Sequence, residues 1–202
     1  MRNILSPVLS GGAVITCSAF DPNLFWDLLP TYKFTWYYAA PTMHHAILRA
    51  SEELPKPLDS GSVRFIANAA GALLPVLAKS LKDTFFNAII LTSYGMTECM
   101  PISSPPQNYT LDPTGTSGKP VGPDICITDE DHTMSLPRGQ TGNILVRGAP
   151  CFGGYEDNVD ANSESFFTID GHDGWFDTGD TVRTRKSKLS LTFFVSLVFI
   201  TM

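Results

Sequence analysis

The sequence lacks the residue spacings that indicate a metal centre or a disulfide framework. Its four cysteines are scattered through 202 residues with no C-x-x-C pair, and its four histidines complete no ligand pattern around them. This argues against a structural zinc site and is typical of a chain kept in a reducing compartment. Basic residues are scarce as well, with 14 Lys and Arg against 20 Asp and Glu and a net charge of -6. No basic patch interleaved with aromatics precedes the C-terminal tail, so nucleic acid is not an expected partner.

Long apolar runs are also missing. The closing stretch "LSLTFFVSLVFITM" is shorter than the about 20 residues of a spanning helix, so a membrane anchor is not favoured. It does not end in a peroxisomal S-K-L signal. Near the N-terminus, Pro7 and the Gly11-Gly12 pair interrupt the apolar residues, which argues against a signal peptide. We therefore predict that "GGAVIT" is a glycine turn entering a buried strand.

What is present is a strand and helix alternation that continues to about Glu98. The 43% hydrophobic and 11% aromatic content is enough for a sizeable core. Asp21 is a plausible N-cap with Pro22 at the first helical position, and Pro41 opens a second helix. The strands are predicted in "KFTWYYAA", "VRFIANAA" and "NAIILTS", and the helices between them in "MHHAILRASEE" and "LLPVLAKSLKDTF". Such alternation predicts an α/β fold with a mostly parallel sheet.

After about Pro105 the sequence becomes rich in glycine, proline and short β-prone runs. These runs are "DICITD", "GNILVRG" and "GWFDTGDTVR". They predict a small β-barrel-like subdomain without helices of useful length. The expected divisions are an α/β part at residues 1–109, a β-rich part at 110–182, and a basic and apolar tail at 183–202.

Polar or small residues follow each predicted parallel strand, at 40–45, 68–72 and 94–98. Ligands of open α/β sheets bind at the carboxyl ends of the strands. In "YGMTE", Tyr94 offers a ring for stacking, Gly95 a close backbone approach, Thr97 a hydroxyl and Glu98 a carboxylate for Mg²⁺. These residues suit a purine nucleotide with a metal on its phosphates, although an ordinary capped turn is the favoured explanation of the motif when it is taken alone.

The segment "GWFDTGD" ends on an aspartate that suits a ribose. A carboxylate such as that of Asp180 accepts two hydroxyl hydrogen bonds well. Thr-Gly-Asp is also a common turn sequence, and an ordinary turn is the favoured explanation of this motif by itself.

The order of four motifs removes that ambiguity. "TSYGMTE", "GTSGKPVGPDICITDE", "RGQTGNILVRGAPCFGGY" and "GWFDTGD" resemble, in sequence and spacing, the adenylate-forming superfamily of acyl-CoA synthetases, luciferases and peptide-synthetase adenylation domains. The resemblance runs from about residue 4 to residue 181. "FWDLLPTYKFTWYYAAPTMHHAIL" and "VRFIANAAGALLP" look most like the oxalate-CoA ligase branch.

The resemblance implies a nucleotide site. Ala70, Gly71 and Ala72 match the family's small-residue loop that flanks adenine, and Tyr94 matches the aromatic that stacks on it. Asp180 matches the aspartate that binds the ribose. ATP or AMP is therefore the expected nucleotide.

The resemblance also implies the reaction. A carboxylic acid attacks the α-phosphorus of ATP, pyrophosphate leaves, and the acyl adenylate reacts with the thiol of coenzyme A. Thr97 matches the hydroxyl near the α-phosphate, Glu98 matches the carboxylate associated with Mg²⁺, and these two are the expected catalytic residues. His44 lies in the segment beside the acyl pocket. His45 is equally well explained as a helix-surface residue.

Several departures from the family pattern bear on activity. The family's Ser/Thr/Gly-rich loop with a phosphate-binding lysine would precede Met1, and "SGK" at 117–119 stands in the wrong place to replace it. After Asp180 the tail matches neither the hinge nor the lysine-bearing C-terminal domain. Asn143 stands where the family usually has a glutamate, a change expected to affect a local contact.

We therefore expect a fragment of an ATP-dependent carboxylate-CoA ligase that is not active alone, with oxalate or another small acid as substrate. The alternative is a non-catalytic nucleotide-binding or interaction remnant of the same fold. The tail after about Thr181 is expected to be foreign to the family, as in a gene-model or splicing artefact. A cytoplasmic or peroxisomal location fits this resemblance, and the oligomeric state stays open.

Overall fold

The computed structural model describes residues 2–68, 70–111, 115–184 and 191–193. The first part of the chain contains α1 (Arg2–Leu9), α2 (Pro22–Tyr32), β1 (Trp36–Ala39), α3 (Pro41–Glu52), β2 (Phe65–Asn68), α4 (Pro75–Thr84) and β3 (Ile89–Thr92). The second part contains β4 (Ser103–Ser104), β5 (Thr116–Pro120), β6 (Asp124–Thr128), β7 (Thr141–Arg147), α5 (Val159–Ser165), β8 (Phe166–Ile169), β9 (His172–Thr184) and β10 (Leu191–Phe193). The predicted fold class, α/β with a β-rich second part, is confirmed.

The first sheet has the order β1-β2-β3, and both strand pairs are parallel. Its connections are the helices α3 and α4, as expected for parallel neighbours, which need a crossover. The core against this sheet contains Trp26, Leu29, Ile47, Val63, Ile66, Leu77, Leu81, Phe85 and Ile90. Burial of this apolar set fixes the positions at which the three strands end.

Local signals place the helix that precedes the sheet. The Asp21 carboxylate accepts hydrogen bonds from the backbone N–H groups of Asn23 and Leu24, at 2.8 and 3.3 Å. These bonds satisfy two donors that the first turn of α2 leaves unpaired. The helix ends where Lys33 adopts a left-handed backbone with φ of 46°. The predicted cap at Asp21 is thus confirmed.

The second sheet is a curled, half-barrel arrangement of seven strands with the order β4-β5-β10-β9-β7-β6, and β8 pairs with β9. All of its pairings are antiparallel. The Thr92 hydroxyl, at the end of β3, donates to the Thr116 carbonyl of β5 at 2.5 Å, which ties the two sheets together. Of the predicted tail, residues 191–193 form β10, while 185–190 and 194–202 lie outside the described residues.

Two predictions about local structure are wrong. The segment "GGAVIT" forms no strand, and Ile15 within it is 40% exposed. In the described ranges no strand pairs with the outer edge of β1, so this β-prone segment has no strand partner there. The β-rich part was predicted to lack helices of useful length, but it contains the seven-residue helix α5. The Asn158 side chain caps this helix by accepting the Ala161 N–H at 3.1 Å.

None of the described helices combines the length and the apolarity needed to cross a bilayer.

Candidate functional site

Strand register aligns the three segments that follow the parallel strands. Ala39, Asn68 and Thr92 are register partners at the ends of β1, β2 and β3. The segments at 40–45, at 68–72 with residue 69 undescribed, and at 94–98 therefore leave the same edge of the sheet. This edge is where an open parallel sheet binds ligands.

The segment after β3 is held by a short antiparallel contact with β4. The Tyr94 N–H donates to the Ser103 carbonyl at 2.9 Å, and the Ile102 and Ser103 N–H groups donate to the Tyr94 carbonyl at 3.0 and 3.1 Å. A tight turn follows, closed by a 3.0 Å bond from the Met96 N–H to the Cys99 carbonyl. This turn carries the next two candidate residues away from the sheet.

Thr97 and Glu98 occupy the tip of that turn. Thr97 is exposed and Glu98 is half-buried. A methyl group added at Gly95 would lie 3.4 Å from the Cys99 carbonyl oxygen, an ordinary contact. Protein packing alone therefore does not require glycine at this position.

A side-chain hydrogen bond in the site joins the first and the fourth motif. The Tyr94 hydroxyl donates to Asp180 Oδ2 at 2.5 Å, although the two residues are 86 apart in sequence. Burial raises the pKa of Tyr94 above its ordinary value, and the Asp180 carboxylate raises it further. The phenol therefore stays protonated and acts as the donor. Asp180 is exposed, so its carboxylate is also accessible to a ligand.

A hydrogen-bonded group beneath Asp180 was missed by sequence reasoning. His132 lies 3.0 Å from the Thr128 hydroxyl through Nδ1 and 3.3 Å from Asp177 Oδ2 through Nε2. Asp177 Oδ1 accepts the Gly179 N–H at 3.0 Å. Thr128 is fully buried, and the group holds the turn that presents Asp180. Because His132 and Asp177 are far apart in the sequence, no local pattern indicated their contact.

Glu98 has a partner that the sequence did not reveal. The Tyr155 hydroxyl donates to Glu98 Oε1 at 3.2 Å, and the Phe152 N–H donates to the Glu98 carbonyl at 2.7 Å. Asn162 of α5 fixes Tyr155 with two bonds to its backbone, at 2.7 and 2.8 Å. Burial, followed by the Glu98 carboxylate, raises the pKa of Tyr155. Tyr155 lies in the "GGY" of the third motif, 57 residues from Glu98. Neither helix nor strand periodicity relates positions so far apart, so the sequence did not pair them.

The loop after β2 places small residues at the site edge. Ala70, Gly71 and Ala72 are all exposed, and Ala70 has a left-handed φ of 57°. The Asn68 side chain donates from Nδ2 to the Gly71 carbonyl at 2.8 Å, which holds the loop. A methyl group at Gly71 would lie 3.3 Å from the Pro41 ring. The Gly71 backbone therefore lies close to Pro41, the residue that begins α3 after β1.

His44 lies inside the protein, packed between α3 and β1. Its side chain is fully buried, Nδ1 lies 3.4 Å from the Tyr37 hydroxyl, and Nε2 has no hydrogen-bond partner among the described residues. Burial and then the neighbouring His45 lower the pKa of His44 to about 4. The neutral imidazole is thus the form that the fold accommodates. His45 is exposed on the helix surface.

This environment predicts a pH-dependent stability. In the unfolded chain a histidine takes up a proton near pH 6.5, whereas folded His44 does so only near pH 4. The free energy of unfolding should fall by about 3 kcal/mol as pH drops from about 6.5 to about 4, and be unaffected by His44 above that range. Urea unfolding of the wild type and His44→Phe across this range measures the difference. His45→Gln removes only the smaller cause of the lowered pKa and should keep most of the wild-type slope. Parallel curves for wild type and His44→Phe would contradict the prediction.

The described residues contain no group of three or more His, Cys, Asp and Glu side chains arranged to hold a metal ion. A magnesium ion needs fewer protein ligands, because it is commonly held by one or two carboxylates plus phosphate oxygens. A carboxylate has about four acceptor positions, and Tyr155 occupies one position at Glu98. Glu98 is therefore able to serve as a single carboxylate ligand.

Comparison with curated proteins finds CoA ligases. The chain is 35% identical over 185 residues to a probable CoA ligase, CCL9, of Humulus lupulus, and 33% identical over 184 residues to an oxalate-CoA ligase of Arabidopsis thaliana. Each match covers 89% of this chain and 34% of the relative. The chain thus spans about a third of the length of these relatives.

Comparison with solved structures finds the same fold. A long-chain-fatty-acid-CoA ligase of Archaeoglobus fulgidus matches with a TM-score of 0.82 and 22% identity, over 91% of this chain and 38% of that one. An O-succinylbenzoate coenzyme A synthetase of Bacillus subtilis in complex with AMP matches with a TM-score of 0.73 and 23% identity, over 92% and 36%. A sequence profile of the family described as AMP-binding enzyme matches residues 1–156. The chain therefore belongs to the AMP-binding enzyme family, the adenylate-forming enzymes that its four ordered motifs resemble.

Proposed function

We propose that this chain is the nucleotide- and acyl-binding part of an ATP-dependent carboxylate-CoA ligase. The observation that carries the proposal is the hydrogen bond between Tyr94 and Asp180, which brings the expected adenine and ribose residues together from 86 positions apart. Tyr94 follows β3 at the edge where the parallel strands end, and Asp180 of β9 lies against it through this hydrogen bond. This geometry supports a nucleoside site there.

The nucleoside would contact the surfaces of the site residues that remain accessible to a ligand. Asp180 is exposed, so its carboxylate is open to the ribose hydroxyls, while the half-buried Tyr94 ring would stack on adenine. The exposed small residues 70–72 would flank the same ring, because no large side chain there obstructs it. Gly95 would allow the backbone to approach the nucleotide closely.

The phosphates would lie against the turn that carries Thr97 and Glu98. The exposed Thr97 hydroxyl is free of steric cover and would hydrogen-bond near the α-phosphate. Glu98 would hold Mg²⁺, which would offset the negative charge on the phosphate oxygens. Tyr155 would orient the Glu98 carboxylate through their 3.2 Å hydrogen bond.

Adenylation requires no nucleophile from the protein. The carboxylate of the substrate attacks the α-phosphorus of ATP and pyrophosphate leaves, so the protein contributes by positioning two anions and stabilising charge. Coenzyme A would then accept the acyl group as a thioester. Oxalate is the first acid to test, because the chain is 33% identical to an oxalate-CoA ligase.

The first test is AMP binding measured by calorimetry. Asp180→Ala should weaken binding by about tenfold or more, because a charge-assisted hydrogen bond contributes about 1.5–3 kcal/mol. Tyr94→Ala should weaken it similarly through lost stacking, whereas Tyr94→Phe keeps the ring and should lose less. Asp59→Ala is the matched control, since Asp59 is also exposed but precedes β2.

AMP affinity that is unchanged in both Asp180→Ala and Tyr94→Ala would overturn the site assignment. ATP-pyrophosphate exchange with oxalate, with 4-coumarate for comparison, then tests turnover. Exchange above background would make this chain a catalytic unit by itself. AMP binding without exchange would instead make it a nucleotide-binding module, the alternative function.

A further inference from the structure

Two cysteines meet behind the turn that carries Thr97 and Glu98. Cys99 and Cys151 are 52 residues apart in sequence, yet the Cys151 thiol points at Cys99 Sγ across 3.1 Å. Cys99 is fully buried and Cys151 is half-buried, and both are free thiols. This close approach of two thiols has no part in the proposed nucleotide chemistry.

The backbone holds this pair in register. Cys99 and Cys151 form an antiparallel bridge, and the residues beside them are joined by a 2.7 Å bond from the Phe152 N–H to the Glu98 carbonyl. In such a non-hydrogen-bonded antiparallel pair the Cα atoms lie about 4.5 Å apart and the side chains are at their closest. That spacing falls in the range of about 4.4–6.8 Å that a disulfide spans.

Each cysteine also ends a tight turn. The Cys99 N–H donates to the Met96 carbonyl at 3.3 Å, and the Cys151 N–H donates to the Gly148 carbonyl at 2.9 Å. The first turn carries Thr97 and Glu98, and the second leads to Tyr155, the partner of Glu98. A disulfide between Cys99 and Cys151 would join the turn that carries Thr97 and Glu98 covalently to the segment that carries Tyr155.

We propose that Cys99 and Cys151 are a redox modification site that forms a reversible intrachain disulfide by exchange with a low-molecular-weight disulfide such as oxidised glutathione. The Cys151 thiolate attacks one glutathione sulfur, which forms a mixed disulfide and releases one reduced glutathione. Cys99 then loses its proton and attacks Cys151 Sγ, which releases the second reduced glutathione. In total, two protein thiols are oxidised and one glutathione disulfide is reduced to two thiols.

The order of attack follows from the environments of the two thiols. Cys151 is only half-buried, and glutathione therefore reaches its thiol. Cys99 is closed to solvent. Cys99 is therefore the slower nucleophile, and it acts from a fixed position beside its target.

Thiol mapping of the full chain tests the proposal. The reduced protein is equilibrated with graded ratios of oxidised to reduced glutathione, quenched in acid, alkylated and digested with trypsin. We expect two of the four thiols to be lost, a mass lower by two hydrogens, and a cross-link between the peptides that contain Cys99 and Cys151. Dithiothreitol should restore both thiols. The readout is a covalent bond, so the result does not depend on whether the chain binds a nucleotide.

Variants assign the bond to this pair. Cys126→Ser is the matched control and should keep the cross-link, because Cys126 lies apart from the pair in β6. Cys151→Ser and Cys99→Ala should each abolish it, and the half-buried position of Cys151 makes its variant the milder one for folding. A cross-link that persists in Cys151→Ser would overturn the proposal. So would glutathione adducts or intermolecular disulfides with no intrachain link at any ratio.

Discussion

The Gly118→Ala variant should lose about 2–5 kcal/mol of unfolding free energy. An alanine Cβ at this position would lie 2.1 Å from both the carbonyl carbon and the oxygen of Ser104 and 2.2 Å from the nitrogen of Pro105. These are backbone atoms, so no side-chain rotation relieves the clash. Gly118 also has a φ of +90°, a conformation that a side chain disfavours.

The clash would act on the nucleotide site as well as on stability. Ser103 and Ser104 of β4 pair with Pro120 and Lys119 of β5, so the added methyl group pushes these two strands apart. The backbone of Tyr94 is bonded to Ser103 in both directions. A displaced β4 should therefore move Tyr94 and weaken AMP binding in any fraction of the variant that folds.

Gly115→Ala separates backbone strain from the clash. Gly115 has a φ of +74°, but none of the described residues other than its chain neighbours lies within 4 Å of the position an added Cβ would take. Gly115→Ala should lower the free energy of unfolding by about 1 kcal/mol or less. The left-handed conformation is penalised in the folded protein, and the reduced freedom of the unfolded chain offsets part of that penalty. Urea unfolding of both variants gives the comparison. Equal losses for Gly115→Ala and Gly118→Ala would contradict the clash as the cause.

Local signals in the sequence were enough to predict the α/β half. The Asp21 cap works within three residues, and each parallel strand is a compact β-prone run followed by a polar or small residue. These signals act over a few neighbours, so they survive without knowledge of the tertiary fold. The segment "GGAVIT" has the same local signals but no strand partner, and pairing is the condition that local sequence does not report.

The candidate site likewise contains residues that the sequence revealed and residues that it did not. The resemblance to the family named Tyr94 and Asp180, and the fold brings them into contact. Tyr155 and Cys151 could not be predicted, because each meets its partner across more than 50 residues, at 57 and 52 positions. Those contacts depend on how the segment after β7 crosses the turn after β3. No periodicity or spacing in the sequence encodes that crossing.

His44 illustrates a further limit. The segment was predicted to lie beside an acyl pocket, and the side chain is found fully buried against Tyr37 with Nε2 unpaired among the described residues. A polar atom buried without a partner costs about 1–3 kcal/mol. The fold tolerates this cost in the first turn after β1, next to the edge where a substrate would enter. Sequence patterns report residue type but not the direction of a side chain.

Removal of Phe85 should be the most damaging single change in the α/β half. Phe85 is fully buried, and its ring stacks on Trp26 at 5.4 Å and 9° and also lies 5.8 Å from Tyr37 and 6.3 Å from Phe25. Phe85→Ala should lower the free energy of unfolding by about 3–5 kcal/mol, through lost burial and the cavity left between these rings. Because small domains have about 5–15 kcal/mol in total, a large part of the stability would be lost.

The adjacent residue supplies a matched control. Phe86 has the same side chain but is 60% exposed, so Phe86→Ala should change stability by only about 0.5 kcal/mol. Urea titration followed by tryptophan fluorescence suits the pair, since Trp26 stacks directly on Phe85. A similar loss in the two variants would show that the aromatic cluster is not what stabilises this half. The same cluster includes Tyr37, whose ring centroid lies 5.6 Å from that of the buried His44 at the edge of the site.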